Sequence, residues 1–181
     1  MTYLGVPRAS FAQLGAVGAL DAQEGQPFKL DIEKAKALLA EGGYPNGFEA
    51  SVLIGTLPHS APIAQSVQAN AAKIGVKLNI ERVANAQLFA RIRGREFQTG
   101  MQAWQTGVPD AHGNASRLVF NPDNRPEAKL TQYPSWRAAF QNEDYNKRVQ
   151  AALLESDPAK RNEMYASLQK DVMETGPMAI M

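Results

Sequence analysis

The chain has 181 residues, enough for one good core and short for two, with 44% apolar and 20% charged residues, as in ordinary soluble globular domains. A net charge of +1 gives no broad field for nucleic acid or an anionic membrane, and the absence of cysteine excludes disulfides and thiolate chemistry. No apolar run approaches the length needed to span a bilayer. Residues 9–20 are mildly apolar, but no charged region precedes them. No signal peptide is read there, and an exported protein would carry its signal outside this chain.

Residues 1–29 carry no strong period and read as an irregular N-terminal segment. Asp31 then caps a helix whose apolar stripe is Ile32, Ala35, Leu38 and Leu39, ended by Gly42 and Gly43. Tyr44 to Gly47 form a turn. Phe48, Ala50, Val52 and Ile54 alternate with polar residues and Leu53 in a first strand. A loop with Pro58 and Ser60 leads to a helix with Ile63, Val67, Ala71 and Ile74 on one face, stopped by Gly75. Val76 to Glu81 alternate as a second strand. Asn85 caps a short helix with Leu88, Phe89 and Ile92 inward, stopped by Gly94, and Phe97 to Trp104 form a third strand. That strand is expected to be central, with Phe97, Thr99, Met101 and Ala103 on one face and Gln98, Gly100, Gln102 and Trp104 on the other.

Residues 48–104 therefore read β-α-β-α-β with parallel strands, because each crossover contains a helix. Residues 107–141, rich in Pro, Asn and Gly, read as a long surface excursion that is either functional or packs on another body. Two helices follow. One carries Tyr145, Val149, Ala152 and Leu153. The other starts at the Asp157-Pro158 cap and carries Met164, Tyr165, Leu168 and Val172. Gly176-Pro177 ends it, and MAIM reads as the beginning of a final strand, cut off as in a fragment.

The loop after the third strand, AWQTGVPDAH (Ala103 to His112), is the candidate site, since ligands of open α/β sheets gather outside the carboxyl ends of strands. Trp104 offers apolar area on an otherwise small, polar strand face, and Gln105 and Thr106 offer neutral hydrogen-bonding groups. Asp110 suits a turn or cap better than a ligand anchor. His59 and His112 are the only histidines and neither has metal-ligand spacing, so neither a metal nor another cofactor is expected. An Asp110–His112 acid–base pair with Ser116 nearby lacks a nucleophile elbow, and no catalytic residue is assigned. Arg91, Arg93 and Arg95 complement a helix carboxyl end, and Lys160, Arg161 and Lys170 read as a solvated helix face.

FKLDIEKAKALLAEGGYPNGFE (Phe28 to Glu49) resembles, almost residue for residue, the most recognisable segment of the family 5 extracytoplasmic solute-binding proteins of ABC importers. KIGVKLNIERV (Lys73 to Val83), FQTGMQAW (Phe97 to Trp104) and DPAKRNEMYASLQKDVMETGPMAIM (Asp157 to Met181) fall in the same order and spacing. The resemblance covers about residues 28–181 and implies an α/β, periplasmic-binding-protein-like lobe. Its parts would be a β-α-β-α-β core, the long excursion, two further helices and a truncated final strand, with residues 30–181 as an incomplete lobe of a two-lobe protein.

The resemblance further implies a non-enzymatic receptor, periplasmic or otherwise extracytoplasmic. It would capture a peptide-like or other small organic solute in an interlobe cleft and pass it to a membrane-embedded ABC permease. Trp104 matches the tryptophan that opens the family's cleft wall, so Trp104, Gln105, Thr106, Gly107 and Asp110 are the expected ligand-binding residues. Peptide-binding members carry an amine-gripping aspartate where Gly107 stands here, and glycine cannot pair with an ammonium. Two other readings stay open: a small hydrolase or deaminase using Asp110 and His112, and an interaction module whose 107–141 loop docks a partner protein. An isolated lobe is also expected to self-associate.

Overall fold

A computed structural model describes residues 8–104 and 106–180. The chain divides into two compact units, one continuous, Lys29–Trp104, and one assembled from Met1–Phe28 together with Gln105–Met181.

The continuous unit holds α1 (Ile32–Glu41), β1 (Glu49–Ile54), α2 (Ser60–Ala72), β2 (Lys77–Arg82), α3 (Asn85–Gly94) and β3 (Thr99–Gly100). The three strands form a parallel sheet in the order β2-β1-β3, with Glu49 opposite Lys77 and Val52 opposite Thr99. The parallel arrangement follows the sequence expectation. β1 is central, and its apolar run is buried on both faces, as a covered parallel strand requires. Val52 and Ile54 pack with Ala64 of α2, while Leu53 packs with Leu88 and Ile92 of α3. The chain moves from β1 outward to β2, then back past β1 to β3. Crossovers of one hand that reverse direction put their helices on opposite faces.

Several local expectations change. β3 is two residues long and lies at an edge, not Phe97 to Trp104 at the centre. The Gln98 side-chain oxygen accepts the Ser51 N–H at 2.7 Å, a place a backbone carbonyl would fill in a longer ladder. Phe97 packs with the Leu53 layer and Met101 with the Val52 layer, so the assignment of both to one face fails. α2 buries Ser60 and Ala64 rather than the Ile63 face, because the small Ala64 lets the helix approach Val52 and Ile54 closely. Asn85 does not cap α3; its oxygen accepts the Thr56 N–H at 2.9 Å. Gly94 lies inside that helix, which is ended by Arg95 in the left-handed region at φ 59°. Phe89 is exposed under the Arg93 guanidinium instead of turned inward.

Asp31 caps α1 as expected, accepting from the Lys34 N–H at 2.9 Å. Yet no α1 residue is buried, and Leu38 is 56% exposed. Two glycines are required where the turns before β1 and β2 meet. Gly47 and Gly75 have φ of 76° and 84°, and a Cβ on Gly47 would overlap the Gly75 carbonyl.

The second unit is helical. After residues 8–28 it holds α4 (Ala111–Asn114), which runs into a π-helical turn (Ala115–Val119). A 3-10 turn (Pro126–Ala128), α5 (Pro134–Arg137), α6 (Glu143–Leu154) and α7 (Pro158–Thr175) follow. Asn142 caps α6 through the Tyr145 N–H, and Asp157 caps α7 through the Ala159 and Lys160 N–H groups. The core joins Phe11 and Ala12 to Ala111, Val119, Val149 and Leu168.

The 107–141 stretch is thus not a bare excursion. Its short helical turns bury Ala111, Ala115, Val119 and Trp136 in this unit. Leu153 faces out rather than in. Residues 178–180 form no strand, because among the described residues this unit offers one isolated bridge, Val17 to Asp110, and no strand to join. Met178 and Ile180 pack on the core instead. Met181 lies outside the described residues.

Residues 8–28 are irregular yet firmly held. Arg8 donates to the carbonyls of Asp21 and Leu20. Asn114 donates to the Phe11 carbonyl at 2.6 Å. Gln169, wholly buried on α7, accepts from the Ser10 hydroxyl at 2.6 Å and the Leu20 N–H at 3.3 Å, and donates to the Gly18 and Tyr165 carbonyls at 2.7 and 3.0 Å.

Candidate functional site

Trp104 closes the continuous unit, a few residues beyond the carboxyl end of β3. Its side chain is 37% exposed, so it is no core residue in the sense of Val52 or Ile54, at 4% and 0%. Gln105 lies outside the described residues.

Thr106, Gly107 and Asp110 belong to the second unit. The Thr106 hydroxyl accepts the Val108 N–H at 3.2 Å, a local turn that gives the segment its shape. Gly107 is exposed, its φ lies outside the left-handed region, and no atom stands within 4 Å of where a Cβ would sit. Nothing in the backbone therefore requires glycine there.

Asp110 caps α4, accepting the His112 N–H at 2.8 Å, as the cap reading of the sequence has it. Its two oxygens also take a bidentate pair from Arg161, both at 2.8 Å, with the side chains only 24% and 19% exposed. The Arg161 guanidinium stacks 4.9 Å from the centre of the Tyr165 ring. The buried Tyr165 hydroxyl meets His112 Nδ1 at 2.8 Å. Arg161 beside Asp110 holds that carboxyl below its usual range, and Asp110 in turn raises Arg161. Burial, with Arg161 adding to it against the opposing pull of Asp110, lowers His112; burial pushes Tyr165 up to about 12.

Two members of this cluster carry no site signal in the sequence. In sequence Arg161 reads as solvated helix face and Tyr165 as core. Their i,i+4 spacing on α7 was visible, but the partner lies 51 residues away.

The arrangement does not form an acid–base relay. The Asp110 carboxylate contacts the His112 backbone, while the His112 ring turns to Tyr165, and the Ser116 hydroxyl is directed at the Gly113 carbonyl. His59 flanks α2 without a side-chain cap bond. Among the described residues no group of three His, Cys, Asp or Glu is placed to hold a metal ion, and no helix is long and apolar enough to cross a membrane.

Comparison with known proteins bears on this geometry. Residues 2–126 match the sequence model of the bacterial extracellular solute-binding proteins, family 5 (middle region). The glutathione-binding protein GsiB of Salmonella typhimurium is 30% identical over 162 residues, which cover 86% of this chain and 30% of that protein. The chain thus spans about a third of the length of the relatives it matches. Among solved structures, the binding protein AgaA of A. tumefaciens R10, in complex with agropinic acid, superposes with a TM-score of 0.83 at 26% identity. That match covers 98% of this chain and 35% of AgaA. The dipeptide-binding protein of Pseudoalteromonas sp. SM9913, in complex with Met-Leu, shares the fold with a TM-score of 0.79 at 22% identity, covering 97% and 34% of the two chains. The matched family is one of solute-binding proteins, not enzymes. With the parallel sheet, the helical second unit and the family match in agreement, this chain belongs to the bacterial extracellular solute-binding proteins, family 5.

Proposed function

We propose that the chain forms part of the receptor of an ABC importer, working in the periplasm or an equivalent extracytoplasmic space. It helps to capture a small organic or peptide-like solute that a membrane-embedded permease then takes up. The observation that carries this reading is Trp104. A large aromatic ring beyond the carboxyl end of a parallel strand, and 37% exposed, supplies apolar area where open α/β sheets bind ligands. Gln105, Thr106 and Gly107 belong to the proposal by residue type alone: two neutral hydrogen-bonding groups and a residue with no side chain to exclude a solute. Asp110 serves by holding the loop, since Arg161 and the His112 N–H already occupy its oxygens. The relatives support the solute class: their names record glutathione, agropinic acid and Met-Leu.

The test is calorimetry on the natural protein that carries this chain, with glutathione, agropinic acid and Met-Leu as probes. Trp104→Ala is expected to weaken the best-binding probe about tenfold or more, roughly 1.4 kcal/mol, while the melting temperature stays within about 2 °C. Unchanged affinity in that variant overturns the role of Trp104. With no carboxylate at position 107, Met-Leu is expected to bind poorly, and Gly107→Asp to bind it better without loss of stability, because a side chain there meets open space. Tight wild-type binding of Met-Leu, with Kd near ~1 μM or below, overturns that part.

A further inference from the structure

His112 sits where one proton changes several interactions at once. Its backbone N–H is held by Asp110 and its Nδ1 by the hydroxyl of Tyr165, which has no exposed surface. A neutral imidazole with its proton on Nε2 accepts the Tyr165 O–H through Nδ1. A protonated one must donate from Nδ1, which leaves the buried phenol proton without that acceptor. It also sets a second cation beside Arg161, whose guanidinium already lies over the Tyr165 ring.

The neighbourhood offers little compensation. The charges acting on the ring are Arg161 of α7 and Asp110 at the start of α4, and Asp110 is already spent on a bidentate pair. The N-terminal segment approaches through backbone: the Val17 N–H donates to the Pro109 carbonyl and the Ala111 N–H to the Val17 carbonyl. α6, which packs on α4, buries Tyr145, Val149 and Ala152, and its Arg148 is taken by Asp171 and Asp144.

We propose that His112 is a pH-sensitive latch, holding the Thr106–Asp110 segment onto α7 near neutral pH and loosening it when the imidazole takes up a proton. The latch stands whether or not that segment touches solute, so its test needs no ligand.

The chain contains only two histidines, so His59→Gln, at an exposed position, leaves His112 as the single imidazole. In that background the ring is titrated by NMR, and amide hydrogen exchange of residues 106–113, corrected for intrinsic pH dependence, is followed across the titration midpoint. We expect a midpoint below the ordinary histidine value of roughly 6.5. Protection of these amides should fall as the pH drops from about 6.5 to below the midpoint, by a total of tenfold for each unit by which the midpoint is depressed. In His112→Gln, whose side-chain oxygen can still accept from Tyr165, protection should be independent of pH over the same range. A midpoint at or above 6.5, protection unchanged across it, or the same pH dependence in His112→Gln overturns the proposal. Should His112→Gln fail to fold, the titration and exchange of the parent decide alone.

Discussion

Replacing Gln169 by Leu tests whether the N-terminal segment is built into the helical unit. The side chain is fully buried and bonds to Ser10, Gly18, Leu20 and Tyr165 at 2.6 to 3.3 Å. Leucine has similar volume, so little cavity forms, and the effect is one of lost hydrogen bonds. The Tyr165 carbonyl sits within α7 and the Ser10 hydroxyl still reaches the Ala12 N–H at 3.3 Å, so neither is fully orphaned. The Leu20 N–H and the Gly18 carbonyl lose these partners inside the fold. At about 1–3 kcal/mol for the buried Leu20 N–H, and somewhat less for the half-buried Gly18 carbonyl, the loss comes to about 2–5 kcal/mol. The two tryptophans fall one in each unit, Trp104 and Trp136. In a Trp104→Phe background the fluorescence of the buried Trp136 therefore reports the helical unit alone. With m near ~1.5 kcal/mol/M, Gln169→Leu should lower the urea midpoint by about 1.5–3 M. Ser10→Ala, which removes the bonds to Gln169 and from the Ala12 N–H while Gln169 keeps its other partners, should lower it by less than Gln169→Leu does. A shift below about 0.5 M in Gln169→Leu would refute the idea that these bonds hold the segment in place.

Asp110→Asn should destabilise the helical unit by about 1–3 kcal/mol, measured by the same urea titration, because the Arg161 guanidinium loses its charged partner while remaining mostly buried. The folded pKa of Asp110 is depressed, so its contribution is complete above the unfolded carboxylate value of roughly 3.9 and is lost as the pH falls through the folded value. The variant and wild type should therefore converge in stability as the carboxyl becomes protonated in the folded state, and a gap that survives that protonation counts against the pair. Gly47→Ala should cost at least about 1–2 kcal/mol, read in the continuous unit by Trp104 fluorescence in a Trp136→Phe background, since it adds left-handed strain and an overlap with Gly75. The isolated chain should self-associate through exposed Leu30, Leu38, Tyr44 and Leu154, and sedimentation showing a clean monomer at high concentration would speak against it.

The parallel β-α-β-α-β order was legible because period-2 and period-3.6 patterns are local. So were the caps at Asp31 and Asp157, where a short side chain precedes an apolar stripe. What the pattern missed depends on partners far along the chain. The rotation of α2 onto Ala64 is decided by the closeness of the sheet, not by the largest side chains of the helix. β3 shortens because Gln98 supplies a side-chain oxygen to Ser51. Residues 8–28 showed no period because side chains of Arg8, Asn114 and Gln169 satisfy their carbonyls and amides in place of a ladder or helix. At the candidate site Trp104 stood out as a lone large ring on a small polar face. Arg161, in contrast, is indistinguishable from a solvated helix residue until Asp110 is set against it.

The interrupted helical unit also dictates an order of assembly. Ser10 and Gln169 are 159 positions apart, and the whole of Lys29–Trp104 is spelled out between them. On the ribosome the continuous unit has all of its own residues long before α7 emerges, so it can collapse while residues 8–28 still await the helix that will satisfy them. Once compact, the inserted unit replaces a long flexible tether with one whose ends are fixed, which lowers the closure entropy for joining the two halves of its host. Nascent chains halted before α7 should resist protease within Lys29–Trp104 and be cut within residues 8–28.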